Sequence, residues 1–217
     1  MRRMWMRAAA GIAIAAVVAA GASAQGNNAA AKNIPEPSSL DYSASFFKTF
    51  SNATTGNGTM QTPVDSYGGM IGVRYTQTPF IGFELTYSLS NLDQKFATAS
   101  ATCTYTCGNQ PVTIPSKLSE VATDWVVSKT SGNVRPFGVG GIAFMIASAS
   151  GDYYALNTIV RVGYVYGGGV DWGSPKFGLR VQYRGTYYKA PNLTAAFYPT
   201  GKFTQTAEPM VGVYYRY

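Results

Sequence analysis

From residue 41 onward, apolar and polar positions alternate with a period of two, as in strands whose successive side chains point to opposite faces. The clearest case is residues 160–188. Val160, Val162, Tyr164, Tyr166, Val170 and Trp172 share one face; Arg161, Gly163, Val165, Gly167, Gly169 and Asp171 share the other. The breaker cluster Gly173-Ser174-Pro175-Lys176 reverses the chain. Leu179, Val181, Tyr183 and Tyr187 then alternate with Arg180, Gln182, Arg184 and Thr186. The same pattern predicts strands over residues 41–50, 66–76, 80–90, 118–129 and 134–147, and a last strand ending at Tyr217. In the first, Tyr42, Ala44 and Phe46 oppose Ser43, Ser45 and Phe47. The facing of 134–147 stays ambiguous, because Gly138, Gly140 and Gly141 carry no side chain.

Eight strands result, joined by connections that run long, short, long, short, medium, short, long. Antiparallel neighbours place alternate connections at opposite ends, so long loops gather at one end and tight turns at the other. Strands of about 10 residues can cross a bilayer when tilted, and short turns opposite long loops are the layout of outer-membrane barrels. Alternation alone fits either a soluble barrel, apolar inside, or a membrane barrel, apolar outside. Three features favour the second. The apolar faces are bulky and continuous, and an eight-stranded barrel has little interior room for them. The narrow faces carry five guanidinium groups (Arg74, Arg161, Arg180, Arg184, Arg216) and five carboxylates (Glu84, Glu120, Asp124, Asp171, Glu208), with no Lys. Arg suits buried carboxylate pairing. Aromatics recur at the ends of the apolar faces: Tyr75, Trp172 and Tyr217 at the short-turn end, and Tyr67, Tyr87 and Tyr187 toward the long loops. Such girdles mark membrane interfaces.

Composition supports strands and turns: 16 Tyr, 24 Gly and only 12% charged residues in 217. Residues 1–24 have a basic start, the apolar run 8–20 and an Ala22-Ser23-Ala24 site, predicting a secretory signal peptide cut between Ala24 and Gln25. Residues 25–40, with two prolines and no periodicity, read as a disordered lead-in. Residues 41–217 are the barrel. No later segment approaches ~20 consecutive apolar residues, so membrane insertion must be as a barrel. The formal charge is +7, but Arg2, Arg3 and Arg7 sit in the leader and the other basic residues are scattered, which argues against a nucleic-acid partner.

The segments Gly167-Gly168-Gly169-Val170-Asp171-Trp172, Leu179-Arg180-Val181-Gln182-Tyr183-Arg184 and Val211-Gly212-Val213-Tyr214-Tyr215-Arg216-Tyr217 resemble the small bacterial outer-membrane β-barrel proteins of the OmpA-like transmembrane-domain type, as does Arg135-Pro136-Phe137 followed by glycines. The resemblance covers residues 41–217 and speaks to architecture more than activity. It implies that the barrel-assembly machinery reads the last strand through Val213, Tyr215 and the terminal aromatic, here Tyr217 where Phe is usual. It also implies that the family's separate peptidoglycan-binding domain is absent, since the chain ends at the barrel.

Cys103 and Cys107 fall in a predicted outer loop of an exported chain, so a disulfide is expected; a metal site would need His or further Cys, and there are none. With no His, the commonest general acid/base and metal ligand is missing, and no enzyme activity or cofactor is expected. The glycine run 167–169 lies inside a strand and reads as a packing feature, not a phosphate loop. The expectation is therefore an all-β, eight-stranded antiparallel up-and-down transmembrane β-barrel. It would sit as a monomer among the lipids of a diderm outer membrane, with a structural or surface-interaction role and extracellular loops that can meet a ligand. Two alternatives stand beside it: a narrow small-solute or ion channel, and a secreted soluble barrel binding an apolar ligand.

Overall fold

The computed structural model describes residues 38–98, 111–150, 158–174, 176–194 and 198–217. The leader with its Ala24–Gln25 junction, residues 25–37 of the lead-in, the Cys103 and Cys107 pair, and Pro175 lie outside the described residues. The described chain forms the strands β1 (Ser39–Ser51), β2 (Thr54–Gly56), β3 (Thr59–Pro63), β4 (Ser66–Thr76), β5 (Ile81–Asn91), β6 (Gln94–Thr98), β7 (Val112–Ile114), β8 (Ser116–Ser128), β9 (Val134–Ala149), β10 (Thr158–Gly173), β11 (Phe177–Lys189) and β12 (Phe203–Arg216). Eight of them close an antiparallel barrel in the order β1-β12-β11-β10-β9-β8-β5-β4.

Closure is made by β1, which pairs on one side with β4 (Ala44 opposite Ile71) and on the other with β12 (Ala44 opposite Val213). Reciprocal backbone bonds between Leu40 and Tyr217 extend that seam to the end of the chain. Burial alternates along every barrel strand, as in β8, where Leu118, Ala122 and Val126 are buried and Val121, Trp125 and Val127 are exposed. The exposed face is the apolar one: Ile71, Leu85, Phe144, Val162, Val181 and Val211 all point outward. The polarity of a soluble protein is thus reversed. The inner wall must also be narrow. Gly141 faces inward beside β8, where a Cβ would overlap the Thr123 carbonyl oxygen and the Asp124 carboxylate. No larger residue allows β8 and β9 to approach so closely.

The alternating pattern marks no strand within the long connections. Two of them instead build a second sheet, of order β2-β3-β6-β7, at the long-loop end of the barrel. Its first hairpin turns on Asn57 and Gly58, both at positive φ (51° and 73°), as a two-residue turn between twisted strands requires. The connection after β11 covers one edge of this sheet. Thr54 and Thr200 hydroxyls bond at 3.2 Å, and Asn57 donates to the Pro199 carbonyl at 2.7 Å.

Candidate functional site: the lumen and its outer cap

The inward positions of the barrel strands bring the charged residues together in layers. Lowest, beside the tight turns, Asp41 of β1 receives Arg216 of β12 through two bonds, at 2.7 and 3.1 Å. Arg135 of β9 approaches the same carboxylate at 3.5 Å and donates to Ser128 and Thr76. Above it lies a ring of four. Arg74 of β4 meets Glu84 at 2.9 Å and Asp171 at 3.3 Å. Arg180 of β11 meets the same two acids, Glu84 at 2.9 Å and Asp171 at 2.7 Å. Each acid is thus shared by both arginines, and the ring spans the lumen from β4 and β5 to β10 and β11. The Phe137 ring lies against it, its centroid 4.1 Å from the Arg74 guanidinium carbon. All four charged groups are almost wholly buried, so each depends on its partners in place of water.

The third layer centres on Arg184, which reaches Glu120 at 2.8 Å, Asp124 at 3.6 Å and the Thr86 hydroxyl at 2.8 Å. Glu208 sits directly across from Arg184 in the β11–β12 register, but the arginine side chain turns over the lumen to the β8 acids. The hydrogen-bond partner of Glu208 among the described residues is the Thr49 hydroxyl, at 3.4 Å. Arg161 is half-buried at the outer end of β10, on the same face as Asp171, with no ion-pair partner among the described residues. With it, six guanidinium groups stand against six carboxylates along the inner face.

Two members of these layers, Asp41 and Arg135, were not among the expected interior charges. Asp41 begins the pattern on the same parity as Ser43 and Ser45, which is the signal that places it inside. Arg135 was hidden by the glycines that blurred the facing of β9. The last-strand residues lie on the outer side: Val213 and Tyr215 face out, and Tyr217 ends the chain fully exposed.

Above the charges the lumen turns apolar and the second sheet closes it. Leu92, Phe96 and Ile114 from that sheet and its connections, with Leu193 from the connection after β11, pack on the inward side chains Leu118, Met145, Val165 and Tyr188. Gln61 and Gln94 hydrogen-bond each other beneath the sheet, and Gln61 also donates to the Pro191 carbonyl at 2.9 Å. Three of the long connections therefore meet over that mouth of the barrel as one packed cap. Around the outside, Tyr67, Tyr87 and Tyr187 form the upper aromatic band and Tyr75, Trp172 and Tyr217 the lower, all exposed. Phe46 stacks on Tyr67 and Phe203 on Tyr187, with centroids 5.7 and 5.1 Å apart.

The chain shares this fold with small outer-membrane eight-stranded β-barrels. The Ail attachment invasion locus protein of Yersinia pestis, solved with the heparin analogue sucrose octasulfate, matches 83% of this chain and 99% of its own, at 14% identity and a TM-score of 0.52. Neisserial surface protein A matches 82% of this chain and 96% of its own, at 13% identity and a TM-score of 0.51. No family model and no curated protein sequence matches the chain.

Proposed function

We propose that the chain is an outer-membrane β-barrel of a diderm bacterium, with a structural and surface-interaction role and no open pore. The observation that carries the membrane reading is the reversed polarity: charged side chains fill the inside and an apolar belt between two aromatic bands covers the outside. In water such a belt would drive aggregation; in lipid it is the lowest-energy surface. The closed lumen favours a surface role over conduction, since ion pairs span it and the cap packs into its mouth. The cap is then the part displayed to the outside. Ail, of the same fold, was solved in complex with a heparin analogue, which supports a ligand-meeting role for a barrel of this kind.

In this reading the leader is removed at Ala24–Gln25, the last strand with Val213, Tyr215 and Tyr217 is read by the assembly machinery, Cys103 and Cys107 form a disulfide in an outer loop, and the barrel is monomeric. Cell fractionation tests the location: the protein is expected in the outer-membrane fraction, with a gel mobility that shifts on heating. Recovery from the soluble fraction without detergent would refute it. Planar-bilayer recording tests the lumen, and steady single-channel steps from the intact barrel would overturn the closed-lumen reading in favour of a channel.

A further inference from the structure

One facet of the outer wall departs from the plain apolar belt. Tyr166 of β10 does not point straight out. Its ring reaches across β11 over Gly185, where any Cβ would strike it. Its hydroxyl is thereby carried to β12, where it accepts a hydrogen bond from the Gln205 side-chain amide. This Tyr–Gln pair lies on the lipid-facing side. It leaves the phenol hydrogen as a donor and the Gln205 amide oxygen as an acceptor, and no described residue takes either up. A polar pair facing lipid is costly unless another group completes its hydrogen bonds.

What surrounds the pair suggests that group. Below it the outward positions of β12 are small or flat, Ala207 and then Pro209 opposite Tyr183. Tyr183 flanks them on β11 and Phe50 on β1, where Lys48 lays its ammonium over the Phe50 ring at 4.6 Å and is paired with Asp65 at 3.8 Å. Above the Tyr–Gln pair the stacked rings of Tyr187 and Phe203 mark the outer interface. Level with Phe203 across the β11–β12 pair stands Lys189, and one residue beyond Phe203 stands Lys202, both exposed. No Asp or Glu occurs anywhere from Gly185 to Ala207, so the two ammonium groups have no acid of their own hairpin to neutralise them. From the surface downward the facet offers cations, stacked aromatics, a hydroxyl–amide pair and the small outward positions Ala207 and Pro209.

We infer that this β11–β12 facet binds one net-anionic lipid of the outer leaflet, whose phosphate carries no cationic headgroup of its own. Its phosphate meets Lys189 and Lys202, the polar groups at the head of its acyl chains meet Tyr166 and Gln205, and one acyl chain lies along Ala207 and Pro209. This rests on the membrane orientation proposed above.

The test uses the folded barrel in nanodiscs containing equal phosphatidylcholine and lipid A, extracted in mild detergent and weighed by native mass spectrometry. One lipid A retained per barrel, in preference to phosphatidylcholine, is expected. Replacing Lys189→Gln and Lys202→Gln together should lower that preference by about fivefold per charge. Tyr166→Phe with Gln205→Leu should lower retention several-fold with both lysines intact. Lys129→Gln with Lys176→Gln, in the opposite turns, should change nothing. Equal retention of both lipids by an inserted wild-type barrel would overturn the inference. So would a Tyr166→Phe/Gln205→Leu barrel that keeps full selectivity, because surface charge alone would then explain binding. A wild-type barrel that never enters the bilayer would overturn the membrane reading along with this one, and is recognised separately by the missing heat shift.

Discussion

Arg180→Leu probes the lumen most directly. Arg180 is wholly buried and gives Asp171 two bonds, at 2.7 and 3.1 Å, and Glu84 one at 2.9 Å. Leucine removes all three and leaves two carboxylates around the single charge of Arg74, one unit of negative charge in excess. Breaking a buried pair on one side costs about 3–5 kcal/mol, since the remaining charge has neither partner nor water. The ring also predicts the outcome of a second change. In Arg180→Leu/Asp171→Leu the neutral Arg74–Glu84 pair at 2.9 Å survives. The double variant should therefore be more stable than Arg180→Leu alone, with a coupling of about 1–3 kcal/mol. Denaturant titration of the barrel in lipid vesicles reads this out through Trp125 and Trp172, both exposed on the outer wall, with gel heat shift as a second probe. Lys129→Leu, in an exposed turn, serves as control and should stay within about 0.5 kcal/mol of wild type. An Arg180→Leu barrel as stable as that control would refute the buried ring. Strictly additive single and double variants would show that the four groups do not act as one unit.

Adjacent glycines on β9 should respond in opposite ways. Gly141→Val would drive into the Thr123 carbonyl and block formation of the heat-shifted species, whereas Gly140→Ala, with no atom nearer than 3.9 Å to its new Cβ, should fold normally. Phe96→Ser with Leu193→Ser should loosen the cap while the ion-pair layers keep the barrel folded; faster protease cleavage of the outer loops with an unchanged heat shift is the expected pattern. Cys103 and Cys107 should react with a thiol reagent only after reduction in the exported protein, and prompt labelling without reductant would exclude the disulfide.

The barrel strands were legible because a period of two survives wherever a strand has two different environments. Residues 66–76 coincide with β4, and the other barrel strands differ from their expected ends mostly at the loop-side margins. The cap was not legible for a physical reason. Its strands are only three to five residues long, too few for a period to emerge. Its inner face mixes Thr59, Gln61 and Gln94 with Phe96 and Ile114, so polarity does not separate the faces. One local signal was present: Asn57-Gly58, which favours a tight hairpin turn, stands in what read as a polar loop.

The missed lumen residues follow the same logic. Parity alone carries Asp41 inside, but its partners lie 175 residues away in Arg216 and across the barrel in Arg135. Such pairs depend on strand stagger, which no single strand's pattern contains. Arg184 makes the point most sharply. Its register neighbour is Glu208, yet its bonds run across the lumen to Glu120 on β8. Pairing in a narrow barrel is thus decided by reach across the interior as well as by adjacency along the wall. An arginine long enough to cross can tie strands that share no backbone hydrogen bond.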